Sequence, residues 1–106
     1  MIYCDSPFEE QVLEFLENQG YQVECQVGCG KFRIDLVIKD GERSVIAIEC
    51  DGKAYHSSLT ARSRDRGRQR ILEKCGWRVH RVWSTNWWYF RDQEQEALIA
   101  AIQSSW

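Results

Sequence analysis

The stretch of sequence that predicts the fold is FRIDLVIKDGERSVIAIECD, residues 32–51. It contains two almost continuously apolar runs, 32–38 and 44–50, joined by a polar segment with a glycine at 40–43. This pattern is typical of a β-hairpin, and the near-continuous apolarity indicates strands that are covered on both faces. Each run nevertheless contains one acid, Asp35 in the first and Glu49 in the second. The stretch therefore predicts a central hairpin that carries two carboxylates.

The sequence on either side of the hairpin predicts the remaining elements. A helix is expected to begin after Ser6, a good N-cap followed by Pro7, and to end at Gly20. The further elements expected are strands at 21–27 and 77–83, an arginine-rich helix at 60–75 and a closing helix at 91–103. The order α-β-β-β-α-β-α predicts an α/β fold, with a mixed sheet of about four strands flanked by helices.

Length and charge limit the classes of function. A chain of 106 residues is expected to form one domain, residues 1–106, and it has no glycine-rich phosphate loop of a kinase or motor. The net charge of −2 argues against a protein that coats nucleic acid nonspecifically. The charge is segregated, however: residues 1–30 hold six acids and no Lys or Arg, whereas residues 62–81 hold eight basic and two acidic side chains. This segregation suggests a site where cations and a polyanion meet.

Two further patterns concern location and cysteine chemistry. No signal peptide and no long apolar run is present, so we expect a cytoplasmic protein that does not contact membranes. The five cysteines form no paired C-x-x-C motif, and most are expected to be small apolar core residues. A zinc site formed by Cys25 and Cys29 with Cys4 or His56 is the alternative.

The acids of the predicted strands are candidates for a metal site. Glu49 and Asp51 lie two residues apart in one strand, so their side chains are expected on the same face, about 6.6 Å apart. Asp35 lies on the adjacent strand and is expected to share its face with Arg33 and Val37. Acids in buried strands are costly unless they are paired or bind a metal, and carboxylates suit Mg²⁺. The alternative is that basic side chains, such as Arg33 or Lys53, simply neutralise them.

Glu9 can contribute a further carboxylate from the first helix. On a helical wheel it lies inside the apolar arc formed by Phe8, Val12 and Leu13, whereas Glu10 and its other acidic neighbours lie outside. Two interpretations are open. Glu9 is either the acid of a capping box with Ser6 or a carboxylate directed inward at the site.

The arginine-rich helix presents two groups of side chains. Arg62, Arg66 and Arg70 are expected on the solvent face, where they could contact phosphates. Arg64 and Arg68 are expected on the packed side, beside Ile71, Leu72 and Cys75. A solvated helix face is the common explanation for such a charge run, but it does not explain arginines on the apolar side.

Histidines and tryptophans provide weaker signals. His56 lies in a polar loop shortly after the acids and could activate water or protonate a leaving group, although it could equally be a solvated surface residue. His80 lies within a predicted strand and is expected to be structural. Most tryptophans are expected in the core, while Trp87 or Trp88 could stack on a base or a partner at a strand-to-helix turn.

Together these residues resemble the PD-(D/E)xK nuclease domain, which has the restriction-endonuclease-like fold. They resemble in particular the small domains related to very-short-patch repair endonucleases, including those at the C-terminus of superfamily 1 helicases. The resemblance spans nearly the whole chain. The matching segments are SPFE (6–9), RIDL (33–36), IECDG (48–52), YHS (55–57), RDR with the following Arg (64–68) and GWRVHRVWST (76–85).

The resemblance implies a Mg²⁺-dependent endonuclease, with Mn²⁺ able to substitute. Asp35 would fill the first acidic position and Glu49 the second, with the Cys50 carbonyl as a further metal ligand and Glu9 as the acid of the first helix. The sequence departs from the family pattern in that Ile34 replaces a proline and Asp51 replaces the motif lysine. Asp51 is therefore expected to bind or orient metal or water. Lys53, Arg64 or His56 would then supply the missing positive charge.

The expected partner is DNA, processed in repair, restriction or helicase-coupled reactions. The basic residues expected to contact it are Lys53, Arg62, Arg64, Arg66, Arg68 and Arg70. The small size of the domain suggests that a second subunit or a fused helicase-like partner selects the target. Two alternatives remain: a catalytically silent nuclease-like module that binds DNA or protein, and a zinc-binding interaction domain.

Overall fold

A computed structural model describes residues 7–29, 32–51 and 69–106 of the chain. The predicted α/β fold with a mixed four-stranded sheet is confirmed. Residues 69–74, between the third and fourth strands, are helical and are labelled α2. The other elements are α1 (Pro7–Asn18), β1 (Gln22–Cys29), β2 (Phe32–Asp40), β3 (Arg43–Asp51), β4 (Val79–Trp83), α3 (Ser84–Tyr89) and α4 (Arg91–Ser105).

The sheet has the strand order β1-β2-β3-β4. The first three strands form an antiparallel meander, and β4 pairs parallel with β3, as a helical crossover connection requires. The predicted hairpin of β2 and β3 turns at Gly41, whose φ of 63° is a left-handed conformation that glycine adopts without steric cost. The carboxyl ends of β3 and β4 consequently lie at the same edge of the sheet.

Helices cover both faces of the sheet. The larger core lies on one face, between the sheet, α1 and the two C-terminal helices, and it includes Leu16, Ile38, Ile48, Trp87 and Ile102. The smaller core lies on the other face, where Leu72 of α2 packs with Ile34, Val37 and Ala47. This two-sided burial explains why the hairpin strands are almost continuously apolar. Among the described residues, no helix is long and apolar enough to span a membrane.

A short helix follows β4 where a turn was expected. The tryptophan at its centre, Trp87, is 1% exposed and packs edge-to-face against Phe8 and Phe15 of α1. Its indole Nε1 donates a hydrogen bond to Gln11 Oε1 at 3.3 Å. Burial of this large ring fixes α3 against α1, because aromatic side chains contribute much apolar area for each residue. Trp88, by contrast, is exposed.

The packed side of α2 agrees with the prediction for Leu72 but not for its two other predicted members. Leu72 is fully buried, whereas Ile71 and Cys75 are exposed. Arg70 is exposed, as expected for the solvent face. The side of the helix that meets the sheet is therefore centred on Leu72 rather than on Ile71 and Cys75.

Candidate functional site

The pairing of β1 with β2 is interrupted at Asp35. Cys25 pairs with Leu36 and Val27 with Ile34, but Gln26 and Asp35 between them do not pair. Leu36 belongs to the larger core and Ile34 to the smaller one, although residues two apart in a regular strand share a face. The alternation of faces therefore breaks at Asp35. The expected common face of Arg33, Asp35 and Val37 presupposes a regular alternation, which does not hold at this position.

The carboxylate of Asp35 contacts the main chain of β3. Its Oδ2 accepts a hydrogen bond of 2.9 Å from the backbone N–H of Cys50. The main-chain pairing of β2 with β3 extends only as far as Leu36 and Ile48, so the Asp35 side chain takes the place of the next main-chain partner. Because N–H and C=O of one residue point to the same side of an extended strand, the Cys50 carbonyl also faces Asp35. The predicted pair of Asp35 and Cys50 is thus in contact.

Glu49 is buried beside this contact. It is 4% exposed, and it follows Ala47 by two residues on the face of the smaller core. On β4 its register partner is Arg81, which follows Val79 on the same face. A carboxylate buried to this extent needs cationic or hydrogen-bonding partners, because desolvation strongly disfavours the charged form. The site therefore contains a carboxylate that favours a nearby positive charge.

Glu9 is directed inward from α1. Its side chain is 5% exposed, and its Oε2 accepts a hydrogen bond of 3.3 Å from Gln26 Nε2. Gln26 itself has a φ of 56°, a left-handed conformation that is uncommon for residues other than glycine. This burial of Glu9 agrees with a side chain directed inward, whereas Ser6, the partner in the capping-box interpretation, lies outside the described residues. Gln26 lies opposite Asp35 where the pairing of β1 with β2 is interrupted, so this hydrogen bond links Glu9 to the same position.

The donor chemistry of these residues suits Mg²⁺. Asp35, Glu49 and Glu9 supply carboxylates and Cys50 a carbonyl, and hard cations such as Mg²⁺ prefer oxygen ligands. Within residues 7–29, 32–51 and 69–106, no three Asp, Glu, His or Cys side chains are grouped so that they could hold a metal. Two carboxylates are nevertheless sufficient for Mg²⁺, which usually keeps several waters and binds substrate phosphates. The oxygen donors of Asp35, Glu49 and Cys50 therefore suit such an ion in their chemistry.

Several predicted site residues are not described. Asp51 ends β3, where its backbone pairs with Trp83. Lys53, His56, Arg62, Arg64, Arg66 and Arg68 lie outside the described residues, as do Cys4 and Ser6. The zinc alternative rests partly on these residues. Of its members, Cys25 is half-buried in β1.

Two residues of the site were missed by the sequence reasoning. Gln26 had no signal, because a left-handed residue within a strand is not encoded by any turn motif. Arg81 entered the prediction only through the net charge of the basic segment. It lies in an alternating strand, where a basic side chain is a recognisable candidate partner for an acid on a neighbouring strand. Its position beside Glu49 depends on the register of a parallel pair, which the sequence does not specify.

The left-handed backbone of Gln26 leads to a stability prediction. Gln26→Gly should be more stable than Gln26→Ala by about 1 kcal/mol, because both remove the side chain but only glycine adopts this φ without strain. Chemical denaturation of both variants measures the difference. Glu24, exposed on the same strand, provides the control: there glycine should be less stable than alanine by about 0.5–1 kcal/mol. If the glycine and alanine variants had the same order of stability at both positions, the left-handed backbone of Gln26 would not be strained.

His80 leads to a prediction of pH dependence. Its Nε2 is buried and has no hydrogen-bond partner among the described residues. Burial lowers the pKa of His80 from its usual 6.5, and the nearby Glu94 partly opposes this effect. The unfolded chain therefore binds this proton at a higher pH than the folded chain, so stability should fall as the pH drops through about 6.5. In thermal melts between pH 7.5 and 5.5, His80→Leu should lose less stability than wild type. Equal losses of stability in wild type and His80→Leu would show that protonation of His80 does not cause the loss.

Comparison with known proteins agrees with this architecture. The family model REase_MTES_1575, which describes a restriction endonuclease-like family, matches residues 8–102. A search of the curated proteins finds no match. The matched range contains Glu9, Asp35, Glu49 and the whole of the sheet. The family's name points to nuclease activity. The chain therefore belongs to the REase_MTES_1575 family of restriction endonuclease-like proteins.

Proposed function

We propose that the chain is a Mg²⁺-dependent endonuclease that hydrolyses phosphodiester bonds of DNA. The observation that carries this proposal is the hydrogen bond from Cys50 N–H to Asp35 Oδ2, which fixes the Asp35 carboxylate beside β3. The residue before Cys50 in β3 is the buried Glu49. Hydrogen bonds of this kind, between a backbone N–H and a charged carboxylate, are stronger than neutral ones. The Asp35 carboxylate is therefore held in place before a ligand arrives.

Asp35, Glu49 and the Cys50 carbonyl would hold the Mg²⁺ ion. When bound, the ion would polarise a phosphoryl oxygen and lower the pKa of the attacking water. The chain's own contribution is the orientation of these oxygens. Glu9, held by Gln26, and Asp51, at the end of β3, would orient water at the site.

Three residues outside the described ranges complete the proposed site. His56 would accept a proton from water or donate one to the leaving oxygen, and Lys53 and Arg64 would contribute positive charge. DNA would lie along the arginine-rich segment at 62–70, whose phosphate contacts fix the register of the duplex without recognising a base sequence. Arg70, exposed on α2, is the described end of this surface.

A finer relationship to the very-short-patch repair endonucleases and to the nuclease-like domains of superfamily 1 helicases is part of this proposal. It rests on the resemblance of the segments at 48–57 and 76–85. It favours a role in DNA repair, restriction or helicase-coupled processing, with a second subunit or fused partner selecting the target. Digestion of nicked, mismatched and branched duplexes would test this finer assignment.

A catalytically silent module that binds DNA or protein is the second candidate. It is favoured by one observation: the described residues do not assemble three metal-binding side chains. Against it stands the presence of Asp35 and Glu49 on neighbouring strands. Acids there would repel DNA phosphates and serve no purpose in a module that only binds DNA.

Cleavage of supercoiled plasmid DNA distinguishes the two candidates. The endonuclease should convert supercoiled plasmid to the nicked form with Mg²⁺ or Mn²⁺ and should be inactive with EDTA. A panel of linear, nicked, mismatched and single-stranded substrates, and an RNA, would define the preferred structure. Absence of cleavage on every substrate with both metals would favour the silent module.

A further inference from the structure

Gln26 is the one residue other than glycine with a positive φ in the part of the chain that the structure describes. The other positions with a positive φ are Gly20, Gly41 and Gly76. A left-handed backbone is strained for a residue with a Cβ, and glycine would avoid this strain. Strained residues persist where their surroundings determine them, and they cluster at functional sites. The glutamine at this position therefore calls for an explanation in its side chain.

The side chain of Gln26 joins the first helix to the sheet. Its Nε2 donates a hydrogen bond of 3.3 Å to Oε2 of Glu9, a residue 17 positions away in the chain. Glu9 is only 5% exposed, and a hydrogen bond to a buried carboxylate is stronger than one between neutral groups. Gln26 therefore orients one oxygen of the Glu9 carboxylate.

This hydrogen bond lies where the pairing of β1 with β2 is interrupted. Gln26 and Asp35 face each other there without pairing, whereas the residues on either side of them pair regularly. From β2, the carboxylate of Asp35 accepts the hydrogen bond of Cys50 N–H in β3. At this one level of the sheet, both residues thus use their side chains for contacts with a third element. The interruption connects the acid of α1 with the acid of β2.

Protection of the sheet edge is the competing explanation for the backbone of Gln26. β1 is an outer strand of the described sheet, and an interruption in an outer strand can prevent pairing with another chain. A glycine at position 26 would interrupt the strand equally well and without strain. Edge protection therefore does not account for the hydrogen bond to Glu9.

We propose that Gln26 is a positioning residue for the endonuclease reaction and that it acts through Glu9. This inference rests on the proposed function, in which Glu9 orients water, and it assigns the strained backbone of Gln26 to that reaction. The left-handed φ is the conformation in which the amide reaches Glu9. A displacement of about 1 Å in a group that orients a reactant can lower a rate up to about 100-fold.

The test compares Gln26→Gly with a matched control, Gln11→Ala. Gln11 lies on the same helix as Glu9, and its Oε1 accepts an equally long hydrogen bond, 3.3 Å, from the Trp87 indole. Urea denaturation first establishes that both variants are folded. Gln26→Gly removes the amide and the strain together, so its stability should stay close to that of wild type. Its kcat for plasmid nicking should nevertheless fall at least about tenfold with KM unchanged. Gln11→Ala should lose stability but keep kcat within about threefold of wild type.

A double-mutant cycle shows whether Gln26 acts through Glu9. Glu9→Gln should lower kcat at least as much as Gln26→Gly does, because it removes the charge of the carboxylate. When Gln26→Gly is added to Glu9→Gln, kcat should fall by no more than about a further twofold, since residues that act as one unit are not additive. Additive effects on kcat would show that Gln26 does not act through Glu9.

Calorimetry with Mn²⁺ provides a readout that does not depend on cleavage. Gln26→Gly should bind Mn²⁺ within about threefold of wild type, because the proposed ligands Asp35 and Glu49 are unchanged. Loss of Mn²⁺ binding in a folded Gln26→Gly protein would show that Gln26 supports the metal site as a whole, which would overturn its assignment as a positioning residue for Glu9.

The outcomes separate this inference from the proposed function. If wild type cleaves DNA and folded Gln26→Gly has a kcat within about threefold of it, the interruption only shapes the sheet edge. The inference then fails while the endonuclease proposal stands. If wild type cleaves no substrate with either metal, the endonuclease proposal fails, and the role of Gln26 in that reaction fails with it.

Discussion

Asp35→Asn is expected to lower Mg²⁺-dependent nicking of plasmid DNA at least about 10³-fold while the protein stays as stable as wild type. The amide lacks the negative charge that a metal ion requires, and loss of electrostatic stabilisation at a reacting centre typically has an effect of this size. In wild type, Asp35 Oδ2 accepts a hydrogen bond from Cys50 N–H, and the amide oxygen of the asparagine can still accept it. Initial nicking rates and thermal melts of the two proteins measure both effects.

Asp35→Ala provides the matched comparison. It removes the charge and also the hydrogen-bond acceptor, so the partly buried Cys50 N–H loses its partner. We expect the same loss of activity, accompanied by a loss of about 1–3 kcal/mol in stability. Nicking by Asp35→Asn at the wild-type rate would show that this carboxylate holds no essential metal. Equal stability of both variants would show that the Cys50 hydrogen bond does not support the fold.

Trp87→Ala is expected to lower the stability of the protein by about 3–5 kcal/mol. The indole is fully buried against Phe8 and Phe15, and removal of such a ring costs both its burial and a cavity. This is a large part of the 5–15 kcal/mol that is typical of small domains. Urea denaturation followed by circular dichroism measures the change.

Trp88→Ala is the control for this prediction. The neighbouring tryptophan is 48% exposed, and its ring centroid lies 5.4 Å from the guanidinium of Arg91. An exposed cation–π contact contributes about 0.5–1 kcal/mol, so this variant should remain close to wild type. Similar losses in both variants would contradict the assignment of Trp87 as the anchor between α3 and α1.

Much of the architecture could be predicted because local patterns agree with it. The hairpin at 32–51 has apolar runs, a glycine turn at Gly41 and the length of two strands, and all three features indicate the same structure. The burial of Glu9 followed from its place within the apolar arc of the first helix. These predictions rest on periodicity, which the sequence carries directly.

The interruption of the β1–β2 pairing at Asp35 could not be predicted. Alternation assigns Asp35 to the face of Val37, but the alternation breaks at Asp35 and its side chain contacts a neighbouring main chain. The position of Gln26 opposite it is equally hidden, since its φ depends on tertiary contacts. Such departures from local rules are expected where a site is assembled, because function there outweighs regular pairing.

Contacts between distant parts of the chain are the second feature that could not be predicted from the sequence. Arg81 neighbours Glu49 only through the register of the parallel pair β3 and β4, which are separated by the crossover. The face of α2 that meets the sheet likewise depends on how this crossover docks. The helical wheel consequently placed Leu72 correctly on the packed side, but it also placed there Ile71 and Cys75, which are exposed.

We propose that Asp35 and Glu49 form one divalent-metal site. Calorimetric titration of the folded protein with Mn²⁺, for wild type and Glu49→Gln, tests it most directly, because it requires neither a substrate nor knowledge of the preferred DNA structure. We predict that Mn²⁺ binds wild type and that Glu49→Gln weakens this binding at least about tenfold. Absence of binding by wild type, or identical binding by a folded Glu49→Gln protein, would show that the two carboxylates do not form a metal site.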